Sequence, residues 1–146
     1  MFLLLTHLAL AGERKIDVAS LPAAVTAAVQ TRLPGAVVVG AAQDGKSYEA
    51  NVTLGERKLD LAFAADGTWL EEEENVAADA LPEAVKGILG TRWKGWSIAR
   101  AERATTPKGT NFEVMVRSGE RSAEVVVTDA GTVTRVESGD EEEAAE

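Results

Sequence analysis

The residue types that most enzymes use for acid–base or nucleophilic catalysis are scarce in this chain. Its one histidine, His7, lies in an apolar N-terminal stretch, and the chain has no cysteine. Removal of that stretch would leave no imidazole for base catalysis or zinc binding. None of the serines lies in a Gly-x-Ser-x-Gly segment. The sequence therefore predicts a protein that is not an enzyme and has no cofactor, although paired carboxylates leave glycoside chemistry open in principle.

A run of four glutamates, Glu71–Glu74, is the first candidate for a cation site. Such a run could collect a hard cation such as calcium, which takes oxygen ligands. Successive residues of a strand point to opposite faces, however, so at most two of the four carboxylates converge. We therefore predict a solvated strand edge, whose charge opposes aggregation between sheets, and no metal site.

The three tryptophans are candidates for partner contact, because tryptophan is favoured in protein interfaces. Trp93 continues the apolar stripe of a predicted helix and is expected in the core. Trp96 follows Gly95 outside that stripe, and Trp69 lies at the start of a predicted strand. Trp69 and Trp96 are therefore predicted partner contacts.

The charge of the chain argues against a nucleic-acid partner. It has 24 aspartates and glutamates against 15 lysines and arginines, a net charge of −9. Phosphate backbones are bound by clustered lysines and arginines, so we expect no nucleic acid to bind. About half of the acidic excess lies in residues 139–146, which are predicted to form a disordered tail.

Residues 1–11 have the apolar core and the Ala-x-Ala ending of a secretory signal, but lack its positively charged start. A first strand or a short apolar anchor are the alternatives. The stretch is too short to cross a bilayer, since a spanning helix needs about 20 apolar residues. We expect an exported protein, periplasmic or extracellular, with no stable membrane span after the signal is removed.

The body of the chain contains one pattern twice. Leu21–Val25, followed by Gly35, returns as Leu81–Val85, followed by Gly95. Each copy begins with an apolar stripe at helical spacing, which predicts an amphipathic helix of about 13 residues capped by Ser20 or Asp79. The stripes comprise Leu21, Val25, Ala28, Val29 and Leu33, and Leu81, Val85, Ile88, Leu89 and Trp93.

Alternating segments follow each predicted helix. In the first copy they are separated by turn pairs such as Asp44-Gly45 and Asp66-Gly67, which are typical of hairpins. The strands predicted there are 36–42, 47–54, 57–64 and 68–73. The second copy agrees, except for a longer predicted loop over 101–111 that contains Pro107 and Gly109.

These elements predict an α+β fold. It is a tandem repeat of a helix followed by an antiparallel β-meander, with the helices packed on one face of a sheet of up to eight strands. Residues 16–74 form the first repeat and 77–138 the second, and the two repeats form one globular domain.

The other face of this sheet is predicted to be open. Alternation turns six side chains away from the helices, namely Asn51, Lys58, Asp60, Met115, Arg117 and Glu124. With the two tryptophans, they are the predicted partner-binding residues. The same polar residues could also be cross-strand neighbours that only support the sheet.

Short motifs in both copies resemble the PepSY-like domains, which are grouped with the beta-lactamase inhibitory protein fold. In the first copy these motifs are Leu21–Val25, Tyr48–Val52, Gly55–Arg57 and Asp66–Thr68. The likeness covers residues 16–138, and it departs from the pattern at Thr128–Gly131. The resemblance implies an exported, non-enzymatic protein whose tandem units form a concave sheet and act by binding, with enzyme inhibition among the suggested roles.

Three functions remain open at this point. The first is an exported binding protein, inhibitor-like, that presents its open sheet face to a protein partner. The alternatives are a small-ligand or cation-binding module of the cell envelope, and a homodimer formed through the same face. The sequence does not name the partner or the oligomeric state.

Overall fold

The computed structural model describes residues 12–139. The predicted secretory signal, and the predicted tail beyond its first residue, lie outside this part of the chain. Within it, nine strands are hydrogen-bonded in chain order in one antiparallel sheet. The strands are β1 (Glu13–Ile16), β2 (Val37–Asp44), β3 (Ser47–Leu54), β4 (Arg57–Ala64), β5 (Trp69–Asn75), β6 (Ser97–Thr106), β7 (Gly109–Ser118), β8 (Arg121–Thr128) and β9 (Val133–Ser138).

Two α-helices interrupt the strands, α1 (Ala23–Arg32) before β2 and α2 (Glu83–Arg92) before β6. A short 3-10 turn precedes each, at Val18–Ser20 and at Ala78–Ala80. Each helix has ten residues. Neither these nor any other helix within residues 12–139 has the length and apolar character to span a membrane.

The helices begin later than predicted. Ser20 and Asp79 lie in the 3-10 turns, and Pro22 and Pro82 occupy the N-cap positions without a side-chain cap. The prediction of Ser20 and Asp79 as caps is therefore wrong. The reason is local, because a residue before proline is disfavoured in helical conformation, and Leu21 is accordingly extended, with φ −61° and ψ 137°.

The predicted fold class is wrong. Strands make up 54% of the described residues and helices 20%, so the protein is mostly a nine-stranded antiparallel sheet with two short helices. It is not an α+β tandem repeat of a helix and a meander on a sheet of up to eight strands. One reason is β1, whose charged residues lack the alternation that marks a strand.

A second reason lies in the segment 101–111, predicted as a loop. Instead β6 continues to Thr106 and β7 begins at Gly109, so only Pro107 and Lys108 form the turn. The extra residues of this segment lengthen two strands to ten residues each. Proline and glycine mark the turn correctly, but they do not reveal how far the strands extend towards it.

The described residues divide into two compact units. Unit 1 comprises the chain up to Glu74 with Thr105–Lys108, and unit 2 comprises Asn75–Ala104 with the chain from Gly109 onward. The predicted domain bounds, 16–74 and 77–138 within one globular domain, stay a prediction.

Each unit has its own hydrophobic core, and the predicted apolar stripes of the helices contribute to both. In unit 1, Val25 and Val29 of α1 pack with Val52 of β3 and with Leu61 and Phe63 of β4, all of them fully buried. Partly buried Ala28 and Leu33 complete the stripe.

In unit 2, Val85 and Leu89 of α2 pack with Val114 of β7 and Val125 of β8. Ile88 and Trp93 pack against this cluster, as their place in the stripe predicts. Residues of β3, β4, β7 and β8 that alternate with the core positions consequently point to the other side of the sheet.

Candidate partner-binding surface

The register of β2 to β5 builds a polar surface on the side of unit 1 opposite α1. Core residues of β3 pair with core residues of β4, as in Val52 opposite Leu59 and Ala50 opposite Leu61. The residues between them therefore point away from α1. Asn51 and Asp60 are one such pair.

Two rows of side chains cross the strands on this surface. The first row runs from Gly40 through Asn51 and Asp60 to Glu73, and the second runs from Ala42 through Glu49 and Ala62 to Glu71. Directly opposed residues in such rows have Cβ atoms about 5 Å apart. We call the set Glu49, Asn51, Asp60, Glu71 and Glu73 the acid face.

Asn51 connects two carboxylates of the acid face. Its Nδ2 donates to Asp60 Oδ1 at 2.7 Å and to Glu49 Oε1 at 2.9 Å. The amide lies between two acidic groups that would otherwise repel each other at short range.

Gly40 gives Asn51 the space that it needs. A Cβ atom on Gly40 would lie 2.7 Å from Asn51 Oδ1, closer than such atoms approach each other. The strand pairing is also irregular between Val38 and Gly40. A β-bulge with a glycine often marks a close approach of this kind.

The charge state of the acid face is sensitive to pH near neutrality. Burial and the nearby negative charge of Asp60 together raise the pKa of Glu49 to about 7, although the hydrogen bond from Asn51 opposes the rise. Burial also raises the pKa of Glu71 to about 7, with an added contribution from Glu49. Carboxyls of this kind titrate where most carboxyls are already ionised.

The glutamate run is not a solvated edge, so that prediction is wrong. Glu71 and Glu73 on the acid face are each only 4% exposed. Glu72 and Glu74 point to the other side, where Arg32 Nε lies 3.2 Å from Glu72 and Arg57 Nε lies 2.9 Å from Glu74. The alternation was predictable, whereas the run itself does not reveal the burial.

The other predicted residues of unit 1 lie in two different places. Lys58 pairs with Thr53 and is exposed. It lies two residues before Asp60 on β4, so both side chains are on the same side of the sheet. Trp69 pairs with Phe63 and packs against the core, on the side of α1. The Arg32 guanidinium lies over its ring, 3.4 Å from the centroid. The structure thus brings Lys58 close to the acid face and separates Trp69 from it.

The predicted residues of unit 2 also share one side of their strands. Met115 pairs with Glu124, and Arg117 pairs with Ser122. Glu124 is 7% exposed, and its Oε1 has no hydrogen-bond partner among residues 12–139. Trp96 packs against the core of unit 2 with Arg121 over its ring, 5.0 Å from the centroid. The role of all these residues as partner contacts stays a prediction.

A sequence match to a phosphate-binding loop has no structural counterpart. Residues 40–47 spell Gly-Ala-Ala-Gln-Asp-Gly-Lys-Ser, which fits the pattern Gly-x-x-x-x-Gly-Lys-Ser. In the structure, Gly40–Asp44 belongs to β2, and Gly45 and Lys46 form the turn into β3. A phosphate loop instead leads from a strand into the N-terminus of a helix. This segment is a hairpin.

Within residues 12–139, no group of three or more aspartates, glutamates, histidines or cysteines is arranged to hold a metal ion. The acid face offers charged and hydrogen-bonding groups in a fixed arrangement, which suits binding. Sequence reasoning identified Asn51 and Asp60 but missed Glu49 and Gly40. The same alternation indicates Glu49, which lies two residues before Asn51 on β3. The contact between Gly40 and Asn51 could not be predicted in this way, because it depends on the register between strands.

No family model matches the chain, and no curated protein matches it. Solved structures do. A DUF2874 family protein from Bacteroides uniformis is 20% identical, covers 80% of this chain and 88% of its own, and superposes with a TM-score of 0.74. A BLIP-like protein from Bacteroides fragilis is 20% identical, with 84% and 89% coverage and a TM-score of 0.71.

A further match is a protein from Bacteroides eggerthii described as a proposed periplasmic protein. It is 18% identical, with 80% and 88% coverage and a TM-score of 0.73. At these identities the likeness concerns the fold, which is BLIP-like. The resemblance to PepSY-like domains stays a prediction.

Proposed function

We propose that the protein is an exported, periplasmic, non-enzymatic binding protein that recognises a protein partner through the acid face. One observation carries this proposal. The strand register brings four carboxylates and one amide together on the side of unit 1 opposite its helix. Asn51 fixes two of the carboxylates at hydrogen-bond distance.

The partly exposed carboxyls of the acid face, Glu49 and Asp60, suit a partner with a basic surface, whereas Glu71 and Glu73 are each 4% exposed and are not contacts. Carboxylates accept hydrogen bonds from lysine and arginine, and charge-assisted bonds of this kind are among the stronger ones in proteins. Complementary charge also accelerates encounter and disfavours wrong partners. Lys58, exposed at the margin, would pair with an acidic group at the rim of such an interface.

Export to the periplasm and the absence of catalysis are supported from two directions. The sequence begins with a segment of secretory-signal character and has no histidine after His7 and no cysteine. Among the structural neighbours, one is described as a proposed periplasmic protein and another as BLIP-like. The open sheet face is also the surface that the PepSY-like resemblance implies.

An affinity capture experiment tests the proposal. The chain without residues 1–11 is immobilised and exposed to an envelope extract of its own organism, in parallel with the variant Glu49→Gln/Asp60→Asn. Both substitutions remove charge but keep groups that can accept the hydrogen bonds of Asn51. We expect the wild type to enrich a protein that the variant captures less, because the variant lacks two carboxylates that would contact this partner.

The matched control is Glu56→Gln/Glu120→Gln, which replaces two carboxyls at exposed turn positions. It should capture as much partner as the wild type. Equal capture by all three proteins would contradict the assignment to the acid face. Capture of no protein by the wild type would contradict a protein partner in that extract.

A further inference from the structure

The first half of β2 has an unpaired outer edge. β1 pairs with β2 only along Ala41–Asp44. Within residues 12–139 no other strand pairs with the outer edge of Val37–Gly40, while the inner edge pairs with β3. An unpaired strand edge presents backbone N–H and C=O groups that can hydrogen-bond to another extended chain.

This edge has no charged side chain and no proline, although it is short and contains the β-bulge between Val38 and Gly40. Charged residues, proline, short strands and bulges are the usual ways in which soluble proteins protect an exposed edge. Here Val37 and Val39 are 59% and 60% exposed, more than any other large hydrophobic residue of the described chain. Val37 pairs with Thr53, which lies on the same side of β3 as Asn51, so an apolar border adjoins the acid face.

A cavity of about 550 Å³ connects this border with the acid face. Val39 and Gly40 line it on the edge side, Glu49 and Asn51 line it on the acid-face side, and Glu13 and Lys15 contribute from β1. Because Gly40 has no side chain, the Asn51 amide lies against its backbone, and the cavity extends from there to Glu49.

We propose that Val37–Gly40 binds an extended segment of the partner by strand addition, and that one face of this segment carries an apolar side chain followed two residues away by a lysine or arginine. This inference rests on the proposed binding function and specifies how the partner is held. Strand addition supplies backbone hydrogen bonds, and side-chain pockets supply specificity. Every second side chain of the added strand lies on the acid-face side.

The two side-chain types match the two parts of the surface. An apolar side chain packs against Val37 and Val39, and removes apolar area from water. The long side chain of a lysine or arginine enters the cavity and reaches Glu49, with which it forms a charge-assisted hydrogen bond. A segment with glutamate in place of the basic residue would be repelled.

The test uses a fluorescein-labelled octapeptide, Thr-Val-Thr-Lys-Thr-Val-Thr-Lys, which carries valine and lysine on one face in either direction. Binding to the chain without residues 1–11 is measured by fluorescence polarisation. Amide hydrogen exchange is measured by NMR with and without the peptide. We expect saturable binding and slower exchange of edge amides within Val37–Gly40, with no change in β9. The same peptide with glutamate in place of both lysines should not bind.

Variants separate strand addition from general attraction to an acidic protein. Val37→Thr/Val39→Thr keeps charge and strand propensity, because threonine is favoured in strands, but removes the apolar contact. It should weaken peptide binding about tenfold. The control Val136→Thr changes an exposed valine of the edge strand β9 and should leave binding unchanged. Glu49→Gln should weaken binding of the lysine peptide.

Two results would overturn the inference. One is the absence of peptide binding, and the other is binding without protection of any amide in Val37–Gly40. The proposed function would be judged separately. If the captured partner is lost with Glu49→Gln/Asp60→Asn but retained with Val37→Thr/Val39→Thr, the acid face binds the partner and the edge does not.

Discussion

Asn51 holds together the charged centre of the acid face. It donates to Asp60 and to Glu49, so its removal leaves two partly buried carboxylates without their shared donor. Leaving such groups unsatisfied costs about 1–2 kcal/mol. We expect Asn51→Ala to lower the free energy of unfolding by about that amount, measured by urea denaturation. Thr53→Ala, on the same strand and face, is the control and should cost less.

Glu49 makes the stability of the protein depend on pH. Its pKa is raised from 4.5 to about 7 in the folded state. Between these values the folded protein keeps a proton that the unfolded chain has lost, so the free energy of unfolding falls as the pH rises through this window. Glu49→Gln should therefore lose less stability than the wild type between about pH 5 and about pH 7.

Urea denaturation at several pH values measures this difference. Some dependence on pH should remain in Glu49→Gln, because the pKa of Glu71 is also raised to about 7. The control Glu56→Gln changes a carboxylate at an exposed turn and should keep the wild-type slope. Equal slopes in Glu49→Gln and the wild type would show that Glu49 does not titrate in this window.

At the residue scale, period-two alternation correctly predicted which side of the sheet a strand residue faces in the cases of Asn51 and Asp60. It placed Asn51 and Asp60 on the side opposite α1, because both lie between core residues of their strands. It did not predict that Glu71 and Glu73 are buried. It also could not predict the hydrogen bonds of Asn51, which depend on the register between β3 and β4.

At the scale of elements, a glycine turn fixes the contact between each helix and a strand connection. Gly67, with φ +88°, approaches α1 so closely that a Cβ atom would lie 2.7 Å from the backbone oxygen of Ala24. Gly131 makes the same contact with Ala84 at 2.7 Å. Any side chain at these positions meets both a disfavoured backbone conformation and a rigid carbonyl.

Gly67→Ala should therefore destabilise the fold more than a turn glycine that faces open space. We expect a loss of about 2–3 kcal/mol for Gly67→Ala, from the left-handed conformation and the collision together. Gly55→Ala is the matched control, because Gly55 has φ +62° with nothing near its Cβ position, and it should lose about 1 kcal/mol. Urea denaturation of both variants measures the difference, and equal losses would contradict the contact with α1.

The sequence predicted individual elements better than their assembly. The turn pairs place β3 and β4 at the predicted residues, because glycine in a hairpin turn is a local requirement. β1 was missed because its four residues, Glu13–Ile16, are mostly charged and become a strand only by pairing with β2. The fold class failed for the same reason, since the number and length of strands depend on pairing beyond the local pattern.

At the scale of the whole molecule, we expect charge to influence how the protein meets the proposed partner. The net charge of −9 attracts basic surfaces, and salt screens such attraction over a distance of about 8 Å at physiological ionic strength. We expect the affinity for the captured partner to fall as salt is added, measured by titration calorimetry. The slope should be shallower for Glu49→Gln/Asp60→Asn than for the control Glu56→Gln/Glu120→Gln.

The BLIP-like fold provides a sheet face, but it does not select what binds there. Selection depends on the side chains of that face, and the proposed function assigns it in unit 1 to Glu49, Asn51 and Asp60 of the acid face. An identical slope with salt in both double variants would place the partner elsewhere on the molecule. The net charge would then cause general attraction without marking a binding surface.

The most direct measurement is carboxyl footprinting of the protein with and without its captured partner. Carbodiimide and glycine ethyl ester label accessible carboxyls, and mass spectrometry reads the labelling of each residue. We expect the partner to reduce labelling of Glu49 and Asp60, while Glu56 and Glu120 are labelled as before. Unchanged labelling of Glu49 and Asp60 at saturating partner would contradict the central claim that the acid face is the binding surface.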